Sequence, residues 1–300
     1  MVVGLGPVDP ALVTPHLPAG AVFVSTPSAG DLAVAEAAIV RAAYDVDREL
    51  LERMPRLRVI ARTGVGTERV DVAEAERRGI AVTVTPGSNS RAVAEGAFAM
   101  MAALVKRVPQ SHAFVAAGRW GGEPPPTPGD LDGLTLAVLG YGRIGRILAG
   151  FGRAFGMTVL AHDPFVTADD AENVSLEEAV ARADVMSLHL PGGGGELLPY
   201  ELLRQARPGL VLVNCARADL VSTATVARAL SEGILGGVGL DVFDAEPVRE
   251  HPLAAVPGVL LSPHTSGLSV AATRATFRMA AESVAEVIDG RYPTFIGKGA

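Results

Sequence analysis

Short apolar runs alternate with amphipathic stretches over the first third of the chain. The runs predict strands, and apolar positions spaced three and four apart predict helices between them. The predicted strands are Met1–Leu5, Ala21–Ser25, Ala38–Val40, Arg58–Ala61 and Ile80–Val84. The predicted helices are Val46–Met54 and Val70–Arg78, the second ended by Gly79. This alternation is typical of a parallel sheet flanked by helices.

The rest of the chain repeats the alternation more regularly. A helical pattern from about Arg91 to Val108 breaks at Pro109, and the Gly- and Pro-rich segment Gly118–Asp132 is expected to be an extended connector between domains. An apolar run at Leu134–Leu139 and a helical stretch follow. Further strands are predicted at Asp184–Leu190, Gly209–Asn214, Val238–Val242 and Val259–Ser262, with helices at Leu176–Ala183, Tyr200–Ala206, Ala224–Glu232 and Val270–Ile288. Six or seven parallel strands result, which predicts a doubly wound sheet.

The last predicted helix, Val270–Ile288, is too long for one more crossover, so we expect it to return to the first domain. The predicted domains are residues 1–107, completed by 268–300, and residues 108–267. The predicted fold class is therefore α/β, with two doubly wound parallel-sheet domains and a cleft between them. Substrates usually bind in such clefts.

Composition narrows the class of protein. A chain of 300 residues, 49% of them hydrophobic, can bury a sizeable core and is not disordered. No apolar run approaches the roughly 18 residues of a membrane span, and no basic stretch precedes the apolar start, so we expect neither a membrane protein nor a signal peptide. A net charge of −7 with scattered basic residues argues against nucleic-acid binding. Cys215 is the only cysteine, which excludes an internal disulfide and favours a cytoplasmic protein.

A dinucleotide fingerprint, Gly140-Tyr141-Gly142-Arg143-Ile144-Gly145, follows the apolar run and opens a helical pattern. The first glycine allows a tight turn, the second lets backbone N–H groups approach a pyrophosphate, and the third lets helix and strand pack closely. Asp163 ends the next apolar run. Its carboxylate would bind the adenosine ribose hydroxyls and repel a 2′-phosphate, which predicts NAD(H) and a Rossmann domain.

Three polar residues follow predicted strands of this second domain. Arg217 comes after the strand at 209–214, Glu246 lies beyond the strand at 238–242, and His264 follows the last strand. Loops at the carboxyl ends of parallel strands converge on the cofactor crevice. An arginine there can bind carboxylate and carbonyl oxygens, a histidine can move the hydroxyl proton, and a glutamate can orient the imidazole. These residue types fit hydride transfer to and from a hydroxy or keto acid.

With these motifs the chain resembles the D-isomer-specific 2-hydroxyacid dehydrogenases over nearly its whole length. The matching segments are Arg62-Thr63-Gly64-Val65-Gly66 with Val70-Asp71, Thr85–Ser90 through Glu95, Asn214-x-x-Arg217, Leu240–Pro247 and Ser262-Pro263-His264. The resemblance implies a flavodoxin-like substrate domain beside the Rossmann domain. It also implies that Arg217, Glu246 and His264 are catalytic and that a substrate acid binds the backbone near Val65 and Gly66.

The resemblance further implies an NAD-dependent enzyme for a 3-phosphoglycerate, glyoxylate, hydroxypyruvate or D-lactate type of substrate, acting as a homodimer through the helix at 91–108 and its neighbours. We also expect Arg62 to contact the substrate, although it could instead pair with an acidic neighbour. Fingerprint and resemblance together predict cofactor contacts from Gly140, Gly142, Arg143, Ile144, Gly145, Asp163, Pro191, Cys215, Ala216, Arg217, Asp241, His264 and Gly267.

The sequence departs from the family pattern at two loops. Ala218 stands where the family commonly has glycine, which predicts local reshaping if the backbone there needs a positive φ. Gly192–Gly195 replaces a longer connection after His189, which affects contacts on the adenosine side of the cofactor.

Other interpretations stay open at this stage. Arg91 and Glu95 have the spacing of an intrahelical ion pair as much as of a catalytic pair. No His, Asp and Glu set has metal-ligand spacing, and hydride transfer needs no metal. Two alternative functions stay open. The chain could be a non-catalytic NAD(H)-sensing protein of the corepressor type, or a phosphite or formate dehydrogenase on the same fold.

Overall fold

The computed structural model describes residues 1–297 and divides the chain into two compact units. The first unit contains residues 1–89 together with the chain from residue 269 onward, and the second contains residues 90–268. The last three residues of the predicted range 268–300 lie outside the described part of the chain.

A five-stranded, fully parallel sheet forms the centre of the first unit, in the order β2-β1-β3-β4-β5. This is the flavodoxin-like order that the resemblance implies. The strands are β1 (Val2–Leu5), β2 (Phe23–Val24), β3 (Ala37–Arg41), β4 (Val59–Thr63) and β5 (Ala81–Thr83). The helices are α1 (Pro10–Val13), α2 (Ala29–Val34), α3 (Arg48–Glu52), α4 (Val72–Arg77) and, at the end of the described chain, α11 (Val270–Ile288).

Both faces of this sheet are covered, which is why its strands read as continuous apolar runs. One face packs Val3, Val40 and Ile60 into a core with the short helices. The other face packs Ile39 against Phe277 of α11. The long closing helix, together with Val13 of α1 and the nearby Val8, therefore covers this face of the first unit.

A seven-stranded parallel sheet forms the second unit, in the order β12-β11-β10-β9-β6-β7-β8. Counted from β6, this is the 3-2-1-4-5-6 order of the Rossmann fold with one added strand, as predicted. The strands are β6 (Thr135–Leu139), β7 (Thr158–His162), β8 (Glu172–Asn173), β9 (Val185–Leu188), β10 (Leu210–Asn214), β11 (Leu235–Leu240) and β12 (Val259–Leu261). The helices are α5 (Ser90–Val105), α6 (Val108–Ala116), α7 (Arg143–Ala154), α8 (Leu176–Arg182), α9 (Tyr200–Leu203) and α10 (Thr223–Ser231).

The boundary between the units differs from the prediction, which placed it after residue 107. Helix α5 belongs to the second unit, because Ala97, Met101 and Leu104 pack into the same core as Leu136 and Val213 of the Rossmann sheet. The helix pattern at 91–108 marked the element correctly, but an apolar face does not reveal which sheet it covers.

Pro109 does not end the helical region as predicted. The chain breaks at Arg107, which has a φ of 52°, and α6 then starts at Val108 with Pro109 in its first turn. Proline is tolerated there because the N–H groups of the first turn have no partner within the helix. The sequence pattern also missed α1, α2 and the two-residue strand β8, all of which are short.

Helix α7 packs close to the fingerprint strand because Gly145 has no side chain. A Cβ at Gly145 would lie 2.1 Å from the carbonyl oxygen of Gly140 and 2.9 Å from Val138 Cγ1. Gly150 lies on the same helix, yet the nearest atom to a Cβ there, Arg153 Nη2, is 4.0 Å away.

We therefore expect Gly145→Ala to lower the free energy of unfolding by about 1–3 kcal/mol, because backbone must move to admit the methyl group. The matched control is Gly150→Ala, which should raise it by about 0.5–1 kcal/mol, the intrinsic helix preference of alanine over glycine. Urea unfolding at equilibrium measures both. Equal effects of the two substitutions would contradict this packing.

Candidate active site

The candidate site is built on loops that leave the carboxyl ends of the parallel strands of the second unit. The sheet order changes direction between β6 and β9, the place where doubly wound folds bind their ligands. Gly140 follows β6 and His189 follows β9, and the His189 N–H donates to the carbonyl oxygen of Leu139 at 2.7 Å. A Cβ at Gly140 would lie 2.6 Å from the His189 carbonyl carbon, so only glycine fits this turn.

The start of α7 fits a dinucleotide pyrophosphate. Gly142 is the N-cap residue and no side chain caps the helix, so the N–H groups of the first turn are left for a ligand. A Cβ at Gly142 would meet no atom within 4 Å, and the space in front of the helix is therefore open. Arg143 and Ile144, which are predicted to lie beside the phosphates, occupy the first turn of this helix.

Asp163 is held firmly at the end of β7. Its carboxylate accepts hydrogen bonds from the N–H groups of Tyr141 at 2.7 Å, Phe165 at 2.8 Å and Val166 at 3.0 Å. A carboxylate has about four acceptor positions, so one remains for a ribose hydroxyl. Asp163 thus joins the fingerprint turn to the loop where the adenosine is expected, and the residues present fit NAD(H).

His264 and Glu246 form the central pair of the site. Nδ1 of His264 lies 2.8 Å from Oε2 of Glu246, whose Oε1 accepts from the Phe243 N–H at 3.1 Å. Both side chains are partly exposed. The carboxylate therefore fixes the imidazole with Nε2 as the nitrogen left for a substrate.

Asp241 holds the backbone around His264. It is 2% exposed, and its two carboxylate oxygens accept from the N–H groups of Thr265 at 2.9 Å and Ser266 at 3.1 Å. His264 has a φ of 55°, which a non-glycine residue adopts only at some cost in energy. The resemblance assigned Asp241 to the cofactor; in this structure its carboxylate fixes the loop that carries the histidine.

Arg217 ends a loop that Asn214 folds. The Asn214 side chain donates to the Arg217 carbonyl oxygen at 2.7 Å and accepts from the Ala216 N–H at 3.0 Å, while Arg217 Nη1 donates to the Ala216 carbonyl oxygen at 2.8 Å. Ala218 opens a short 3₁₀ turn and is not among the residues of positive φ, so this backbone accepts alanine without strain.

Asp219 is a functional-loop residue that sequence reasoning missed. Its carboxylate accepts from the Gly193 N–H at 2.6 Å, and a Cβ at Gly192 would lie 2.4 Å from Asp219 Oδ1 and 3.0 Å from Arg217 Cβ. The glycine-rich connection after Pro191 therefore lies directly against the Arg217 loop. The sequence did offer one signal for such a residue. Glycines have no side chains to accept hydrogen bonds from the backbone amides of the run, so an acceptor from another loop is needed.

Cys215, a predicted cofactor contact, and His189, which follows β9, both have buried polar atoms. Burial raises the pKa of the Cys215 thiol to about 12, so it is a protonated, space-filling group 3.7 Å from Ser266 Oγ. Burial lowers the pKa of His189 to about 4, so its ring is neutral. Nε2 of His189 pairs with Ser187 Oγ at 2.9 Å, and its buried Nδ1 has no partner among the described residues.

In the first unit, the loop after β4 carries the predicted substrate residues. Val65 is 53% exposed and Gly66 is half-buried, so both are accessible. Arg62 differs from its predicted role as a direct substrate ligand: it is 3% exposed and its guanidinium is directed into backbone carbonyls. It donates to backbone carbonyls, and the carboxylate of Glu68 acts on it electrostatically.

The remaining candidates have structural explanations. Arg91 and Glu95 form an exposed intrahelical ion pair at 2.8 Å. Within residues 1–297, no group of three or more His, Cys, Asp or Glu side chains could hold a metal ion. Over the same range, no helix combines the length and apolar character needed to cross a bilayer.

Comparison with known proteins agrees with this geometry. Residues 98–266 match the D-isomer specific 2-hydroxyacid dehydrogenase, NAD binding domain. The chain is 36% identical to D-3-phosphoglycerate dehydrogenase of Mycobacterium bovis over 86% of its own length and 50% of that protein, so it spans about half the length of this relative.

Two solved structures share the whole fold. D-lactate dehydrogenase from Aquifex aeolicus, complexed with NAD and lactic acid, superposes with a TM-score of 0.83 at 27% identity, covering 97% of this chain and 96% of that one. An NADPH-dependent glyoxylate/hydroxypyruvate reductase from Sinorhizobium meliloti, in complex with citrate, gives 0.88 at 26%, covering 98% and 96%.

The low pKa of His189 gives a testable pH dependence. Between about pH 6.5, its value in an unfolded chain, and about 4, the unfolded state binds a proton that the folded state does not, so stability falls as pH falls. His189→Asn removes this effect. The unfolding free energy of wild type relative to this variant should drop by about 2 kcal/mol from pH 7 to pH 5, measured by urea unfolding. His112→Asn, at an exposed histidine, is the matched control, and the same drop relative to it would contradict the assignment.

Proposed function

The chain belongs to the D-isomer specific 2-hydroxyacid dehydrogenase family, and we propose that it interconverts a D-2-hydroxy acid and its 2-keto acid with NAD(H). The observation that carries the proposal is the His264–Glu246 pair at 2.8 Å, at the carboxyl edge of the sheet that holds the fingerprint. A protein that only sensed NAD(H) would not need this proton-transferring pair, which is why we prefer an enzyme.

Each loop has a defined task in this proposal. NAD(H), when bound, supplies or accepts the hydride. In the direction of reduction, Nε2 of His264 gives its proton to the carbonyl oxygen of the keto acid, and Glu246 stabilises the protonated imidazole before that step. Arg217 polarises the same carbonyl with its guanidinium. In the reverse direction, the imidazole removes the hydroxyl proton.

We assign the substrate carboxylate to the backbone amides of Val65 and Gly66. A small 2-keto acid such as glyoxylate, hydroxypyruvate or pyruvate satisfies these groups. 3-Phosphoglycerate, the substrate type named for the 36% identical relative, would additionally need cations for its phosphate, and Arg62 and Arg91 are engaged elsewhere. We therefore propose the small acids first.

Steady-state assays with a panel of 2-keto acids, run with NADH and NADPH, test the proposal. We expect reduction of at least one acid with NADH preferred, since Asp163 would face the 2′-phosphate of NADPH. His264→Ala should lower kcat by about 100- to 10,000-fold, the usual contribution of a general acid–base, while the Kd for NADH stays near the wild-type value.

Glu246→Gln is the second variant, because an amide can keep the hydrogen bond to Nδ1 without the negative charge. It should retain more activity than His264→Ala. Oxidation of phosphite or formate, with no keto acid reduced, would favour the other dehydrogenases on this fold. Tight NADH binding without turnover of any substrate would favour the sensor.

We also propose that the protein is a homodimer and acts in the cytoplasm. Helix α6 and the segment after it expose apolar side chains at Val108, Val115 and Trp120, the last with 77% of its surface accessible. Helix α5, the other candidate, has much of its apolar surface buried within its own unit. The dimer contact is therefore better placed on the surface around α6.

Sedimentation velocity tests the dimer. Wild type should sediment at twice the chain mass, and Trp120→Ser should weaken the dimer by about tenfold or more, because buried tryptophans dominate interface energies. Phe165→Ser, at a second highly exposed aromatic residue, is the control and should leave the dimer intact. A monomeric wild type, or equal effects of both substitutions, would contradict the proposal.

A further inference from the structure

Arg62 is a buried cation that donates hydrogen bonds to four backbone carbonyls. Its Nε donates to the carbonyl oxygen of Gly66 at 3.2 Å, Nη1 donates to those of Arg41 at 3.1 Å and Tyr44 at 3.2 Å, and Nη2 donates to that of Ala42 at 2.8 Å. These contacts use the guanidinium fork against two different loops, one after β3 and one after β4. Four of the five N–H donors are committed to these carbonyls and the residue is 3% exposed, so it is poorly placed to be a direct ligand.

We propose that Arg62 is a positioning residue that presents the Val65 and Gly66 amides to the substrate carboxylate. It draws the carbonyls of both loops inward and places its charge behind the amides. This inference rests on the proposed function, because it assigns the binding energy of the keto acid carboxylate to these amides. It changes the predicted role of Arg62 from a ligand to the support of a ligand.

Peptide geometry gives the direction of the amides. In a trans peptide the C=O group and the following N–H group point in opposite directions. The Gly64 carbonyl oxygen accepts from Thr85 N–H at 2.9 Å and from Thr85 Oγ1 at 3.4 Å, so the Val65 N–H points away from Thr85. Arg62 donates to a carbonyl two residues further on, that of Gly66. The peptides on both sides of the Val65–Gly66 peptide are therefore held, which restricts the Gly66 N–H between them.

The charge of Arg62 strengthens these donors. A guanidinium stays protonated in proteins, although burial lowers the pKa of Arg62 from its usual value. Its Nε lies 3.2 Å from the Gly66 carbonyl oxygen, so the positive charge acts through space on the neighbouring amides. The carboxylate of Glu68, and less strongly that of Asp45, also acts on Arg62; both residues are exposed, so water weakens this attraction relative to that of a buried pair. An anion outside the loop thus meets donors with a positive charge behind them.

The same geometry predicts which ligands are bound more weakly when Arg62 is lost. The amides contact only the carboxylate that all 2-keto acids share, so loss of Arg62 should weaken them all equally. A direct contact to the rest of the substrate would instead affect the larger acids more than glyoxylate. Because the fingerprint lies in the other unit, NADH binding should not respond.

The test compares Arg62→Met and Arg62→Lys with wild type, using glyoxylate, hydroxypyruvate and the unreactive anion oxalate. We expect Arg62→Met to raise the KM of the keto acids and the inhibition constant of oxalate by about 10- to 100-fold, the loss expected when one or two charge-assisted hydrogen bonds weaken. The value of kcat should change much less, and the Kd for NADH should stay the same. Arg62→Lys keeps the positive charge without the planar guanidinium, so its KM and inhibition constant should lie between those of wild type and Arg62→Met. It therefore tests the proposal even if the methionine variant fails to fold.

Arg69→Met is the matched control. Arg69 lies on the same loop and pairs with Asp45 at 2.9 Å, so its loss removes the same charge without touching the four carbonyls. The proposal is overturned if the folded Arg62 variants keep wild-type KM, if Arg69→Met has the same effect, or if an oxalate complex places an Arg62 nitrogen within about 3.2 Å of the anion. A wild type that reduces no keto acid would instead refute the proposed function.

Discussion

Irregular backbone beside a buried sheet needs hydrogen-bond partners, and this constraint shapes each loop of the candidate site. Loops cannot use the ladder that pairs the strands, so polar side chains take its place. Asp241 accepts two amides, Asp163 accepts three, and Asn214 serves one donor and one acceptor of its own loop. Arg62 does the reverse and donates to four carbonyls. A loop whose N–H groups point inward is supported by a side chain that accepts hydrogen bonds. A loop whose C=O groups point inward is supported by a side chain that donates them.

This choice also decides what a loop can bind. A carboxylate that accepts inward-pointing amides leaves carbonyls or side chains for the outer surface, as in the loop that carries His264. A guanidinium that donates to inward-pointing carbonyls leaves amides outside, which suits an anion. At the start of α7 no side chain caps the helix, and its amides are again left for a negative group. The side chains that hold each loop therefore predict the charge of the ligand group that binds to that loop.

The sequence predicted much of this architecture because the signals are local or carry strong chemistry. Alternation of apolar runs gave both parallel sheets, and the spacing of Gly140, Gly142 and Gly145 gave the phosphate turn. The pairing of His264 with Glu246 followed from motifs on neighbouring strands. The boundary between the two units near α5 could not be placed, because an amphipathic pattern does not show which sheet the apolar face of the helix packs against. The direction of Arg62 was equally hidden, because its acceptors lie some twenty residues earlier in the chain.

The support of His264 shows why a partly exposed catalytic group can still be well oriented. Asp241 fixes the backbone on one side of the imidazole and is itself buried, so water does not compete for its hydrogen bonds. Glu246 fixes the ring independently through Nδ1. The two constraints act on different bonds, one on the main chain and one on the side chain, and together they leave Nε2 directed outward. Orientation therefore comes from one buried carboxylate and one partly exposed carboxylate, and the imidazole keeps the access to substrate that proton transfer requires.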